Sequence, residues 1–134
     1  LEPDPGSIEK ADILLADLPC SGLGIIGKKP DIKLHMCPEK LETLRKLQRE
    51  ILSVVWQYVK PGGILVYSTC TIHKGENQEN TEWFLKNFPF EPVDLTGQLG
   101  DRIQELSQKE GQIQFLPGTY PCDGFYMAVL KRKI

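Results

Sequence analysis

A chain of 134 residues with 40% hydrophobic and 25% charged side chains has the makings of one folded domain, able to bury ~two thirds of the surface its unfolded form exposes. A formal net charge of -2 argues against an unaided, non-specific nucleic-acid binder, which carries a strong basic excess, so any RNA contact must be local or helped by other sequence. No apolar run approaches the ~20 residues of a membrane span, no signal peptide is read, and Cys20, Cys37, Cys70 and Cys122 form no C-x-x-C pair, so the expectation is a reducing, cytoplasmic compartment with no membrane and no metal.

Residues 1–10, with Pro3, Pro5 and Gly6, read as a loop. Residues 13–16 are an apolar run that suits a strand buried on both faces, and it breaks into Asp17-Leu18-Pro19-Cys20-Ser21-Gly22-Leu23-Gly24. Those polar and turn residues belong at the strand's carboxyl end, the edge at which open α/β sheets bind ligands. Pro19 stiffens the exit and restricts the orientation of Cys20. Residues 25–37, with Gly27, Pro30 and Lys28-Lys29, read as irregular.

Over residues 38–59 the spacing of Leu41, Leu44, Leu47, Ile51, Leu52, Val55 and Trp56 predicts a helix. Pro38 and Glu39 suit its first turn, and Pro61-Gly62-Gly63 stops it. Residues 64–67 form a second buried strand, which breaks at Ser68-Thr69-Cys70-Thr71 as the first breaks at 17–20. Strand, helix, strand is a right-handed crossover, so the two strands should be parallel neighbours ~4.8 Å apart. Each then delivers one cysteine to a shared crevice. A second helix is predicted over 76–87, with Trp83, Phe84 and Leu85 in the core and Asn77 or a neighbour as cap. Pro89 and Pro92 end it, and 93–111 is polar, with a short helix at best over 103–106. Residues 112–116, a turn at Pro117-Gly118 and residues 124–130 read as a closing antiparallel hairpin. The fold class is α/β, with a mostly parallel sheet.

Gly22-Leu23-Gly24-Ile25-Ile26-Gly27 matches G-x-G-x-x-G, but Lys28-Lys29-Pro30 follows where a helix should open and no acid ends a next strand ~20 residues on, so the dinucleotide reading fails. A loop whose backbone passes close to another group is the better account. A lone free cysteine is usually a small buried hydrophobe, which is the reading for Cys37 and Cys122. Cys20 and Cys70, at corresponding strand ends among polar residues, point instead to paired thiol chemistry. Asp17 is read equally as a structural cap or as an acid that handles protons beside a thiol. His35 and His73 fit no ligand spacing and are expected in solvent, and Lys28, Lys29, Lys33 and Arg45 are expected on a solvated face, with phosphate contact the lesser reading.

Asp17-Leu18-Pro19-Cys20-Ser21-Gly22 together with Ser68-Thr69-Cys70-Thr71 resembles the paired D-x-P-C-S-G and S-T-C-[ST] signatures of the RNA cytosine-5 methyltransferases of the Sun (Fmu), NOL1/NOP2 family, in particular its bacterial ribosomal RNA members. Lys29-Pro30-Asp31-Ile32, Leu47-Gln48-Arg49-Glu50-Ile51-Leu52, Lys60-Pro61-Gly62-Gly63, Glu76-Asn77, Leu116-Pro117-Gly118 and Asp123-Gly124-Phe125-Tyr126 extend the likeness over nearly the whole chain.

The resemblance implies an S-adenosylmethionine-dependent methylation of cytosine C5 in RNA, most naturally ribosomal RNA. C5 is a poor nucleophile until a thiolate adds to C6. By the resemblance Cys70 is that nucleophile and Cys20 the thiol that helps break the bond afterwards. Asp17 would contact the base or the methyl donor, Pro19 would shape the pocket and Lys29 would contact substrate. A base buried in a stack cannot reach two strand ends, which suits RNA that is single-stranded or locally opened. The family's glycine-rich cofactor loop and RNA-binding region would precede Leu1. Residues 1–134 are therefore expected to be the C-terminal portion of one Rossmann-like methyltransferase domain, inactive alone and weak at best for S-adenosylmethionine. Two other classes stay open: a thiol-dependent redox or hydrolytic enzyme, and a non-catalytic RNA-binding module.

Overall fold

A computed structural model describes residues 1–98, 108–118 and 121–134. Five strands form one sheet in the order β1-β2-β5-β3, with β4 also paired to β5. They are β1 (Ala11–Asp17), β2 (Val59–Thr69), β3 (Phe90–Pro92), β4 (Gln112–Phe115) and β5 (Phe125–Arg132). β1 and β2 run parallel, and β5 is antiparallel to β2, β3 and β4. Of the described strands, then, only β5 runs against the rest. The expected parallel neighbours and closing hairpin are both present. The short helix expected over 103–106 lies outside the described residues.

Two helices lie on one face of this sheet: α2 (Pro38–Val55) and α3 (Gln78–Asn87), while α1 (Ile32–His35) is a single turn. Leu52 of α2 and Phe84 of α3 pack against Ala16, Leu65, Tyr67, Phe90, Tyr126, Ala128 and Leu130. Because side chains alternate along a strand, these residues commit one face of each strand to the core. The opposite face is not covered in the same way. Ile13 is 65% and Leu15 75% exposed, so β1 is buried on one face only and not on both, as an apolar run had implied. An apolar run records what a strand can bury, not whether a layer covers it.

α2 ends at Val55, a 3-10 turn spans Trp56–Tyr58, and Val59 already belongs to β2. Lys60-Pro61-Gly62-Gly63, expected as a stop between elements, bulges out within β2: Ala11 pairs with Val59 but Ile13 with Ile64. Gly62 sits there at φ +80, a conformation glycine adopts without steric cost. On α2 the fully buried positions are Gln48 and Leu52, whereas Leu47 of the predicted stripe is exposed. Phe84 of the predicted α3 core is buried and Trp83 and Leu85 pack partly against it.

Candidate active site

The register Asp17↔Ser68 places the carboxyl ends of β1 and β2 side by side. One further ladder bond follows, from Leu18 N–H to the Ser68 carbonyl at 3.3 Å, before both chains turn away. From there the two cysteines converge: Cys20 Sγ lies 3.1 Å from Cys70 Sγ, and both are free thiols. The expected shared crevice is thus a direct contact. Burial, and then the contact with Cys70, push the Cys20 thiol up from its ordinary 9.0 to about 12. Cys20 therefore holds its proton through neutral pH, and either sulfur can donate to the other.

Asp17 closes β1 with its carboxylate exposed, and Oδ1 accepts the Ser68 hydroxyl at 3.1 Å. Pro19 is exposed beside it, and its carbonyl accepts from Gln48 Nε2 at 2.9 Å. Asp17, Pro19, Cys20 and Cys70 accordingly share one edge. Lys29 stands apart from them, exposed in the turn that leads into α1, where its N–H donates to the Ile25 carbonyl at 2.9 Å. Among the other cations, Lys28 pairs with Asp123 at 2.8 Å, and Arg45 pairs with Glu79 at 3.3 Å and Glu42 at 3.8 Å.

The glycine loop packs against backbone. Gly22 is left-handed at φ +70, residues 23–25 make one 3-10 turn, and no helix opens. Gly24 N–H donates to the Cys70 carbonyl at 3.1 Å while the Gly24 carbonyl accepts from Gly124 N–H at 2.8 Å. A Cβ on Gly24 would lie 2.4 Å from the Gly124 oxygen and 2.7 Å from that of Cys70. The close backbone approach is real, and its partners are Cys70 and the segment entering β5.

Beneath the thiols lies a buried polar layer whose members the motif reading did not assign roles. Glu76, Asn77, Asn80, Gln48, Thr69 and Thr71 are fully buried, with Ser21 and Gln114 nearly so. Glu76 Oε1 accepts the Ser21 N–H at 2.8 Å and Gln48 Nε2 at 3.0 Å, and Oε2 accepts the Ser21 hydroxyl at 2.7 Å. A buried carboxylate costs several kcal/mol unless its lone pairs are met by donors, which here come from the Cys20 loop and α2. Asn77 holds the N-cap position of α3 but does not cap it. Its Oδ1 accepts the Thr69 hydroxyl at 2.6 Å, and Nδ2 donates to the Thr71 carbonyl and to Gln114 Oε1, each at 2.9 Å. His73, expected in solvent, packs instead with Nδ1 3.3 Å from Glu76 Oε2. The sequence signal was a polar residue on an apolar line: Gln48 lies between Leu44 and Leu52, four positions from each.

The family described as 16S rRNA methyltransferase RsmB/F matches residues 2–131. Ribosomal RNA small subunit methyltransferase F of Cronobacter sakazakii is 36% identical over 126 residues, which are 92% of this chain and 26% of that protein. The probable ribosomal RNA small subunit methyltransferase B of Bacillus subtilis is 38% identical over 127 residues, 93% of this chain and 28% of that protein. Among solved structures, PH0851 superposes with a TM-score of 0.84 at 36% identity, covering 93% of this chain and 27% of that one. NSun6 from Pyrococcus horikoshii, solved with SFG, gives 0.76 at 26% identity, covering 92% and 30%. The chain spans about a quarter of the length of the curated relatives it matches. With the family match running through both cysteine loops and nearly end to end, the chain belongs to the 16S rRNA methyltransferase RsmB/F family.

Proposed function

We propose that the protein built on this chain methylates C5 of cytosine in ribosomal RNA, with Cys70 as the nucleophile that adds to C6. The observation that carries this reading is the 3.1 Å approach of Cys20 and Cys70 at adjacent strand ends. Addition of the Cys70 thiolate to C6 moves electron density onto C5, which makes that carbon nucleophilic. Once C5 carries its methyl, its proton passes to a base, for which solvent water suffices, the C5=C6 double bond re-forms, and the Cys70–C6 bond breaks with its electron pair returning to sulfur. Cys20, protonated and 3.1 Å from Cys70 Sγ, can donate a hydrogen bond to the departing sulfur and so help it leave. That stabilisation of the leaving thiolate is what Cys20 contributes.

S-adenosylmethionine supplies the methyl group when bound. A related protein solved with SFG, an S-adenosylmethionine analogue, supports that cofactor class, and the exposed Asp17 carboxylate at the same edge would suit its cationic end. Pro19, exposed beside Cys20, would form a wall of the base pocket, and Lys29 would meet the RNA backbone from the neighbouring turn. As the chain is about a quarter of its relatives' length, it contributes the thiols and one part of the cofactor site to a larger whole.

The same sulfur contact would suit a redox dithiol, which predicts a Cys20–Cys70 disulfide and no RNA adduct. The test is adduct formation by the full-length enzyme with its RNA and S-adenosylmethionine. Cys70→Ala is expected to abolish the protein–RNA adduct and lower methylation at least about 10⁴-fold, whereas Cys20→Ala lets the adduct form and persist. Loss of the adduct in Cys20→Ala would reverse the two roles, and an unimpaired Cys70→Ala would end the reading.

A further inference from the structure

Cys20 and Cys70 leave different strands, and the ladder between β1 and β2 does not by itself fix how closely their side chains meet beyond it. Two consecutive buried residues do. Glu76 grips both sides of Cys20: it accepts the Ser21 N–H at 2.8 Å directly, and through Gln48 Nε2 at 3.0 Å it is linked to the Pro19 carbonyl, which the same amide nitrogen reaches at 2.9 Å. Asn77 grips both sides of Cys70, taking the Thr69 hydroxyl at 2.6 Å and donating to the Thr71 carbonyl at 2.9 Å. The backbone between the two grips is held from below, since the Glu76 carbonyl accepts from the Tyr67 hydroxyl and from Asn80 Nδ2. The Ser21 and Thr71 hydroxyls, 2.7 Å apart, join the loops directly.

We propose that Glu76 and Asn77 are the positioning residues of the thiol pair, Glu76 for Cys20 and Asn77 for Cys70, and that their adjacency in sequence sets the approach of the two sulfurs. Neither touches the reacting base. The proposal deepens the methyltransfer reading and rests on it only for the catalytic consequence. Glutamine suffices for the grip at 76: its oxygen can accept from Ser21 N–H and Gln48, and its amide can donate to a Ser21 hydroxyl that then donates to Thr71.

The test reads thiol geometry without turnover. In the chain carrying Cys37→Ser and Cys122→Ser, phenylarsine oxide condenses with two nearby thiols, forming two As–S bonds and releasing one water. Bridging is followed by mass and by loss of free thiol. Glu76→Ala is expected to slow bridging about tenfold, and Asn77→Ala, acting on a loop already continuous with β2, about threefold. Glu76→Gln should stay within about twofold of the parent. A folded Glu76→Ala chain that bridges at the parent rate overturns the proposal. Should Glu76→Ala not fold, Glu76→Asp, whose carboxylate falls one methylene short of Ser21 and Gln48, takes its place, with about threefold slowing expected and the parent rate again overturning the proposal.

In the full-length enzyme, Glu76→Ala should make the RNA adduct persist and Asn77→Ala should slow its formation. An effect of Asn77→Ala on release alone would overturn the division of roles. Arsenical bridging that responds as expected in an enzyme that forms no RNA adduct would uphold the positioning and remove the methyltransfer reading.

Discussion

Cys70 follows a strand paired on both sides, whereas Cys20 follows one with a single neighbour among the described strands. Residues 64–68 of β2 are in register with β1 on one flank and β5 on the other, and Thr69, next to Cys70, still pairs with Tyr126. β1 has β2 as its only neighbour among the described strands, presents Ile13 and Leu15 on its uncovered face, and ends before Pro19. What places Cys20 is a set of side chains from α2 and the segment before α3. The nucleophile proposed here is therefore held by main-chain pairing up to its neighbour Thr69 as well as by the Asn77 side chain. Its partner depends more on the Gln48 and Glu76 side chains, whose contacts single substitutions remove.

The largest expected effect is one that ignores this difference. Gly24 touches both loops, and Gly24→Ala would force a methyl to within 2.4 Å of the Gly124 oxygen, so urea unfolding of the chain should show a loss of about 2–3 kcal/mol. Gln48→Ala, by contrast, should separate the loops. It leaves the Pro19 carbonyl and Asn80 Nδ2 without this partner, at a cost of about 1–2 kcal/mol. Hydrogen exchange should then quicken more at the Ser21 amide than at Leu65 and Tyr67, which follow only the global loss of stability. Equal acceleration in both places would mean that the loops are held as one unit.

The effect confined to the narrowest conditions is in the response to pH. With the Cys20 thiol raised to about 12 in the folded chain from an ordinary 9.0, its neutral form is the one folding favours. That contribution is complete below about pH 9 and fades as pH rises towards 12, so the fold should lose stability over that alkaline window and gain nothing from pH 7 to 9 through this group. Iodoacetamide should label the exposed Cys122 readily at pH 8 and Cys20 only as the solution becomes strongly alkaline. Early labelling of Cys20 would show that its loop opens.

Both strand ends are legible in the sequence because each apolar run stops abruptly at polar and turn residues, and a crossover of this length allows only one parallel arrangement. The closing hairpin is legible for the same reason. The residues that hold the thiols are less so, since Gln48, Glu76 and Asn77 are polar side chains that read as surface until tertiary contacts supply their partners. β3 escapes notice because Pro89 and Pro92 read as breakers, yet Pro92 lies on a strand at the end of the sheet, where a missing N–H deprives no neighbour of a bond. Residues 60–63 read as a terminator because proline and glycine punctuate both loops and bulges, and only the register with β1 distinguishes them.

β5 is the last strand in sequence, yet it lies inside the sheet, between β2 and β3, and Gly124 just before it rests on Gly24. Synthesis runs from the amino end, so Cys20 and Cys70 both leave the ribosome well before the segment that closes the sheet around them. Contacts spanning such long stretches of sequence form late and slowly. The nascent chain thus carries two loose thiols that become a matched pair in one late event, when its final strand is threaded home.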